Sequence, residues 1–153
     1  MKFYLVRHGQ SLDENKDSLR HLSEKGKHDV QKTAEFLNKA QIKVEIILSS
    51  RKTRAIQTAE ILSCILNSSG SVELIDGISP NDSAVAFIDN TEFEFDNIML
   101  VGHLPFLSHL ASLLLTCESN TVNILFPTSS VVCFERMGSG PWRLVFSVNS
   151  DLF

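Results

Sequence analysis

The sequence is poor in cysteine, proline and glycine, and it contains no long hydrophobic run. Its three cysteines, Cys64, Cys117 and Cys133, are an odd number without a CxxC pair, which excludes a disulfide framework and favours reduced, buried thiols. Four prolines and seven glycines among 153 residues exclude a collagen-like chain. No apolar stretch approaches the ~18 residues of a membrane span, and the run before Arg7 is too short for a signal peptide. We therefore expect a cytoplasmic protein without a membrane partner.

Positive charge is also scarce. The chain has 14 Lys and Arg residues against 18 Asp and Glu residues, a formal net charge of −4, which disfavours a dedicated surface for nucleic acid or anionic lipid. Any anion-binding site must therefore be local. Because 43% of the residues are hydrophobic, a chain of this length buries roughly 70% of the surface that its unfolded form exposes. We expect residues 1–153 to form a single domain that needs no disulfide or structural metal.

Short apolar runs alternate with segments of helical periodicity. Apolar runs predict strands at 3–6, 46–48, 72–75, 98–101, 131–136 and 143–148. Helical spacing and capping signals predict helices at 23–39, 53–66 and 106–115, a shorter helix opening from the 79–82 loop, and a turn at 67–71. This order predicts an α/β fold, a three-layer αβα sandwich whose central sheet is mainly parallel, with the last two strands as a hairpin. In such a fold, ligands bind beyond the carboxyl ends of the strands.

Three segments at predicted strand ends carry residues suited to phosphate chemistry. Arg7, His8 and Gly9 supply a fixed cation, a nucleophilic imidazole and a glycine that permits close backbone approach. Arg54 lies near the start of the helix after the second strand, and His103 follows the 98–101 strand. Taken singly, these are also consistent with a salt-bridged surface histidine, a solvated basic face and a structural histidine. Four potential cations at one sheet edge nevertheless indicate an anion site, because their mutual repulsion otherwise costs stability.

The same segments carry the motifs of a known family. RHG at 7–9, SxxxRAxQTAEIL at 50–62 and VGHLP at 101–105, in this order, resemble the histidine phosphatase (phosphoglycerate mutase-like) superfamily. The short chain, the HLSEKG stretch at 21–26 and the VGHLPFL run are most similar to its SixA-type branch, the phosphohistidine phosphatases. The resemblance covers nearly the whole chain and implies a phosphoglycerate mutase-like fold and a hydrolase activity.

The resemblance also implies roles for individual residues. It implies that His8 is the nucleophile that becomes phosphorylated. The residues implied to surround the phosphoryl group are Arg7, Arg54 and His103. The implied substrate-binding residues are Gly9, Ser50 and, at the mouth of the pocket, Arg20.

The general acid is where this chain departs from the family pattern. Larger relatives place a glutamate after the third strand, whereas this chain offers Asp76 and Asp82 as candidate acids. An alkoxide leaving group needs a positioned acid, whereas phosphohistidine departs as a neutral imidazole, whose conjugate acid has a pKa of about 6.5. A weak acid therefore favours an N–P bond as the substrate.

We predict a phosphohistidine phosphatase that acts on a phosphohistidine-bearing signalling or phosphotransfer protein through a covalent phosphohistidine intermediate and releases inorganic phosphate. The alternatives are a small-molecule phosphomonoesterase of the same superfamily, with Asp82 or Asp76 as the acid, and a non-catalytic phosphohistidine-binding module. The mechanism pairs a neutral His8 with a protonated His103, which predicts a bell-shaped pH dependence. No cofactor or metal is expected, because a zinc site built from these histidines lacks a third ligand and Arg7 would repel the ion.

Overall fold

Strands and helices alternate along the chain in the predicted order. The computed structural model describes residues 1–66 and 71–152. The strands are β1 (Lys2–Arg7), β2 (Ile46–Ser50), β3 (Val72–Ile75), β4 (Asn97–Gly102), β5 (Val131–Glu135) and β6 (Arg143–Val148). The helices are α1 (Glu24–Lys39), α2 (Thr53–Leu66), α3 (Ala84–Asn90) and α4 (Phe106–Thr116). Each agrees with a predicted element to within a few residues, whereas residues 67–70 of the predicted turn lie outside the described residues.

The strands form a mixed sheet in the order β3-β2-β4-β1-β5-β6. Neighbours among β3, β2, β4 and β1 are parallel, whereas β5 runs antiparallel to β1 and pairs with β6 as a hairpin. The mainly parallel sheet expected from the sequence is therefore confirmed. β1 lies near the middle and sends Phe3 and Leu5 to one face and Tyr4 and Val6 to the other.

Helices cover both faces of the sheet. On one face the apolar residues of α1 and α2, such as Leu37 and Leu62, pack with Tyr4 in one hydrophobic core. On the other face α3 and α4 supply Phe87 and Phe106 to a second core. These two cores confirm the three-layer αβα architecture. Within the described residues, the helices are all too short or too polar to cross a membrane.

The cysteines are free thiols in the structure, but only Cys133 is buried. Cys64 is exposed on α2, and Cys117 is exposed at the C-cap of α4, where its backbone has a positive φ of 61°. The prediction that all three are buried packing residues is therefore wrong for two of them. Helical position decides this, because Cys64 lies on the outward face of an amphipathic helix.

The carboxyl ends of three adjacent parallel strands place the functional segments side by side. Arg7, Ser50 and Gly102 are the last residues of β1, β2 and β4, and β4 lies between the other two. Arg7 is in register with Gly102, so His8 and His103 leave the sheet next to each other. The fold therefore gathers residues that are far apart in the sequence at one sheet edge.

Candidate active site

His8 and His103 meet at the carboxyl edge of the sheet. Their ring centroids lie 4.9 Å apart. The His8 side of the pair is the accessible one, because 9% of His8 is exposed compared with 1% of His103. The two histidines that the sequence placed at separate strand ends therefore share one site.

The hydrogen bonds of His8 define its tautomer. Nδ1 lies 2.7 Å from the Gly9 carbonyl oxygen, and Nε2 lies 3.1 Å from Nε of Arg54. A carbonyl oxygen only accepts and a guanidinium only donates, so Nδ1 carries the proton and Nε2 presents its lone pair towards Arg54. Burial lowers the pKa of His8 from 6.5 to about 4, and the charges of Arg54, Arg7 and Arg20 act in the same direction. His8 is therefore a neutral imidazole at physiological pH.

Gly9 holds the backbone that carries His8. Its N–H donates to Thr58 Oγ1 at 3.1 Å, and that hydroxyl donates to the Arg54 carbonyl at 2.7 Å. A Cβ at Gly9 would lie 2.8 Å from Val30 Cγ2 and 2.9 Å from the Gly26 carbonyl oxygen. The close approach that this glycine permits is thus to helix α1, and its place in the site is to fix the His8 loop.

Arg7 is anchored by the segment that precedes β5. Its Nη1 donates to the Phe126 carbonyl at 2.7 Å, whereas its buried Nε has no hydrogen-bond partner among the described residues. Burial lowers the pKa of the guanidinium groups of Arg7 and Arg54, yet arginine stays protonated throughout the physiological range. Two fixed cations therefore border the His8 ring.

His103 is oriented by Ser50. Its Nε2 lies 2.8 Å from Ser50 Oγ, and its buried Nδ1 has no partner within the described part of the chain. Burial lowers the pKa of His103 to about 3, and neighbouring His8, Arg54, Lys52 and Arg20 add to the shift. The protonated His103 expected from the sequence is therefore not favoured by the residues around it.

Arg20 lies at the rim of the site. Its backbone adopts a positive φ of 53°, and its guanidinium donates to the Leu12 carbonyl at 3.4 Å and to Ser11 Oγ at 3.3 Å. Its charge lowers the pKa of both His8 and His103, which places it within electrostatic reach of the two rings. The geometry is consistent with the predicted position at the pocket mouth.

The two candidate acids are engaged elsewhere. Asp76 accepts from Arg51 Nε at 2.8 Å and Nη2 at 3.4 Å. Asp82 accepts from the backbone N–H of Ser79 at 2.7 Å. The charged groups that shift the pKa values of the two histidines are cations or the other histidine. Neither aspartate is among the charged groups that shift the pKa values of the two histidines.

Two further residues organise the site and were not singled out from the sequence. Thr58 links the Gly9 amide to α2, and Gln57 Oε1 accepts from the Leu22 amide at 2.8 Å. Both belong to the 50–62 motif, so the motif carried the signal even though no role had been assigned to them. They tie the first turns of α2 to the two loops that frame the histidines.

The arrangement is suited to a phosphoryl group. Neutral His8 offers a nucleophilic nitrogen between guanidinium groups, which bind phosphoryl oxygens. Arg7 Nε and His103 Nδ1 are buried polar atoms without partners, which calls for a ligand that completes their hydrogen bonding. Among the described residues, no group of three or more His, Cys, Asp or Glu side chains is arranged to hold a metal ion.

Comparison with known proteins shows which family the chain resembles. The family model described as "Histidine phosphatase superfamily (branch 1)" matches residues 3–78. The chain is 29% identical over 150 residues to phosphohistidine phosphatase SixA of Escherichia coli (strain K12), an alignment that covers 94% of this chain and 91% of that protein.

Solved structures agree with this fold. The structure of the protein histidine phosphatase SixA complexed with tungstate matches with a TM-score of 0.84 and 24% identity, covering 99% of both chains. A SixA structure from Agrobacterium tumefaciens matches with a TM-score of 0.75 and 22% identity, covering 96% of this chain and 97% of that chain. At these identities the two structures establish a shared fold.

Proposed function

The chain belongs to the histidine phosphatase superfamily, and we propose that it removes the phosphoryl group from a phosphohistidine-bearing signalling or phosphotransfer protein. It is a phosphatase with a histidine nucleophile, and we assign that role to His8. The observation that carries the proposal is the neutral His8 ring, whose Nε2 lone pair faces Arg54 in a setting of cations. The similarity to SixA supports the substrate class.

In the first step, Nε2 of His8 attacks the phosphorus of the substrate. A bond forms between this nitrogen and phosphorus, while the bond to the substrate imidazole breaks and its electron pair leaves with that ring. Arg54 and Arg7 bind the phosphoryl oxygens, and the unpartnered Nε of Arg7 and Nδ1 of His103 are the donors that are free to join them. Before attack, the Arg54 hydrogen bond holds the lone pair in place.

In the second step, water hydrolyses the phosphoenzyme. The water oxygen bonds to phosphorus, the N–P bond breaks with its electron pair returning to His8 Nε2, and the product leaves as dihydrogen phosphate, which carries both protons of the water. His8 regains its neutral form, with Nδ1 still donating to the Gly9 carbonyl. His103 contributes a hydrogen bond in this scheme, and a dianionic phosphoryl group would raise its pKa towards the ordinary value.

The position of the carboxylates supports phosphohistidine over a phosphate ester. Asp76 is paired with Arg51, and Asp82 accepts from the Ser79 amide. An alkoxide leaving group needs a proton from such an acid, whereas a phosphohistidine that is protonated on its free ring nitrogen leaves as neutral imidazole. The substrate thus supplies the proton that this site does not.

A rapid-quench labelling experiment tests the proposal. The protein is mixed with a histidine-containing carrier peptide phosphorylated with ³²P on histidine, and separately with a ³²P-phosphoserine peptide. We expect acid-labile label on His8 and release of phosphate from the first substrate. His8→Gln should lose at least about 10³-fold in rate, as for removal of a covalent nucleophile, whereas His28→Gln, which changes an exposed histidine on α1, should retain the wild-type rate.

The same assay separates the ester alternative. Asp82→Asn keeps an acceptor for the Ser79 amide, and Asp76→Asn keeps one of the two oxygens that accept from Arg51. We expect both variants to turn over phosphohistidine at the wild-type rate and to be insensitive to EDTA. Faster turnover of the phosphoserine peptide, lost in either variant, would contradict the proposal and assign a general acid.

We place the reaction in the cytoplasm. The free thiols of Cys64, Cys117 and Cys133, two of them exposed, support a reducing compartment.

A further inference from the structure

A groove on the α3 side of the sheet takes no part in the proposed reaction. It lies between strand β3, helix α3 and residues 91–95, and it has a volume of about 640 Å³. Side chains of Ile46, Leu48 and Ile98 form its floor. We name it the β3–α3 groove. Its volume falls within the roughly 300–1,000 Å³ of protein ligand sites.

The groove reflects uneven cover of the two sheet faces. On the opposite face, α2 packs against both β2 and β3. On this face, α4 packs against β1 and β6, and α3 packs against α4. Side chains of β2 and β3 therefore line an open groove, although parallel strands are normally covered on both faces.

The rim of the groove is acidic. Five carboxylates line it, and none of the described lining residues is basic; the five are Glu73, Asp76, Asp82, Glu92 and Glu94. The three glutamates are exposed and form no salt bridge within the described residues. Phe95, which is 41% exposed, adds an apolar surface beside them. An apolar floor beside three glutamates without salt-bridge partners among the described residues complements a cationic amphipathic ligand.

One end of the groove adjoins the candidate active site. Asp76 and Gly77 follow the carboxyl end of β3, which is the edge at which His103 leaves the sheet. The next residue in this loop, Ile78, has its carbonyl oxygen 3.9 Å from the Cβ position of Gly102. The anionic groove and the cationic phosphate site are therefore neighbouring surfaces of opposite charge.

We propose that the β3–α3 groove docks a basic amphipathic helix of the protein that carries the phosphohistidine. This inference rests on the proposed function and names a second contact for its substrate. The five residues of β2 span about 16 Å, which corresponds to about 11 residues of helix. A helix of this length places apolar side chains on the floor and Lys or Arg side chains at the glutamates. Docking raises the local concentration of the phosphoryl group at His8.

Two synthetic substrates test this docking. Each joins one phosphohistidine through a Gly-Ser linker to a 12-residue amphipathic helix, built from leucine and lysine in the first and from leucine and glutamate in the second. We expect the wild type to show about a tenfold higher kcat/KM for the lysine peptide, expressed mainly in KM, as three surface ion pairs would give. The combined variant Glu73→Gln, Glu92→Gln, Glu94→Gln should lose this preference.

A matched variant controls for net charge. Glu35→Gln, Glu60→Gln and Glu118→Gln remove three exposed carboxylates that do not line the groove, and this variant should keep the wild-type preference. Free phosphohistidine should be hydrolysed equally by all three proteins. Ala86→Arg, which places a cation and added bulk on the groove wall, provides a second test and should also lose the preference.

Three results would overturn the inference. The first is a wild type with no preference between the peptides, and the second is a control variant that loses the preference as fully as the groove variant. The third is a dimer, detected by light scattering, that the groove substitutions disperse, since the groove would then bind a second copy. If no phosphohistidine compound is hydrolysed, the proposed function fails. In that case, fluorescence anisotropy of the unphosphorylated lysine peptide, titrated with the wild type and with the groove variant, tests peptide binding to the groove independently of catalysis.

Discussion

His8 and His103 are both buried, but their hydrogen-bond partners restrict the tautomers of the two rings to different degrees. His8 Nδ1 donates to the Gly9 carbonyl, which only accepts, so its tautomer is fixed with Nε2 as the nucleophile. His103 Nε2 is paired with the Ser50 hydroxyl, which both donates and accepts. His103 can therefore change its protonation or tautomer when an anion binds, while the Ser50 hydrogen bond persists. This contrast fits His8 as the attacking ring and His103 as an adaptable donor.

Ser50 was expected to bind substrate, and its hydrogen bond to His103 Nε2 also gives it a positioning role. In Ser50→Ala, we expect kcat to fall about tenfold with little change in KM, because a buried His103 Nε2 loses its partner. The adjacent variant Ser49→Ala is the control, since Ser49 is equally buried and its hydroxyl donates to the Ser50 carbonyl instead. Steady-state kinetics on a phosphohistidine peptide measures both. Equal losses of kcat in the two variants would indicate general disturbance of β2 and contradict the positioning role.

Helix α1 packs against the loop that carries His8. Its N-cap, Ser23, accepts from the Gly26 amide at 3.0 Å and donates to Gln10 Oε1 at 2.8 Å. Gly26 lies so close to this loop that a Cβ there would overlap the Gln10 carbonyl oxygen. The start of the helix and residues 9–10 are therefore packed backbone to backbone, which transmits the position of α1 to His8.

Gly26→Ala tests this packing. The added Cβ must displace either α1 or the Gln10 backbone, so we expect the free energy of unfolding to fall by about 3 kcal/mol, at the upper end for overpacked sites. Phosphatase activity should fall as well, because Gln10 follows the His8 loop directly. Chemical denaturation and kinetics on the same preparation measure the two effects.

Gly138→Asn is the matched control for Gly26→Ala. Gly138 lies in an exposed turn with a φ of +55°, which asparagine tolerates, and nothing lies within 4 Å of its Cβ position. We expect Gly138→Asn to change the free energy of unfolding by no more than about 0.5 kcal/mol. A Gly26→Ala protein as stable as this control would show that α1 and the loop are not in firm contact.

For the molecule as a whole, charge is separated rather than spread evenly. The net charge is −4, yet the histidine pair lies among Arg7, Arg54 and Arg20, while five carboxylates line a groove on the neighbouring surface. A dianionic phosphoryl group is drawn to the first region, and a cationic segment to the second. The two regions together define which surface of the protein faces its substrate.

Burial of two neutral histidines also makes global stability depend on pH. The folded-state pKa values of about 4 for His8 and about 3 for His103 lie below the ordinary value of 6.5. At pH values between the folded-state and unfolded-state pKa values, the unfolded chain binds protons that the folded chain does not. The free energy of unfolding therefore decreases as pH falls from about 6.5 towards 4. The contribution of the two neutral histidines to the free energy of unfolding is fully present above about pH 6.5.

We expect His103→Gln to reduce that dependence. Urea unfolding at pH 7.5 and pH 4.5 should show a smaller loss of stability on acidification for this variant than for the wild type. His28→Gln, which alters an exposed histidine, should lose as much stability on acidification as the wild type. Parallel losses in all three proteins would mean that His103 is not kept neutral by burial.

Local patterns in the chain were enough to predict the helices and strands and to indicate candidate residues at the strand ends. Helix α2 begins and ends at the predicted residues, Thr53 and Leu66, and α1 begins at Glu24, one residue after its predicted start. Periodicity and capping depend on residues within a few positions of one another, so they are readable without the fold. The alternation of strands and helices also predicts parallel strands, whose carboxyl ends carry His8, Arg54 and His103 at one edge of the sheet.

The tertiary structure decided how those residues are held and what surrounds them. The partner of the His8 Nε2 lone pair is Arg54, 46 positions away, and Asp76 is paired with Arg51, 25 positions away. Gly9 proved to make room for α1, and the exposure of Cys64 depended on which face of α2 meets the sheet. Such contacts arise from packing between distant segments, and hydrogen-bond geometry and burial exist only once those segments meet. The pKa values of the two histidines, and the acidic groove beside them, are for this reason properties of the fold.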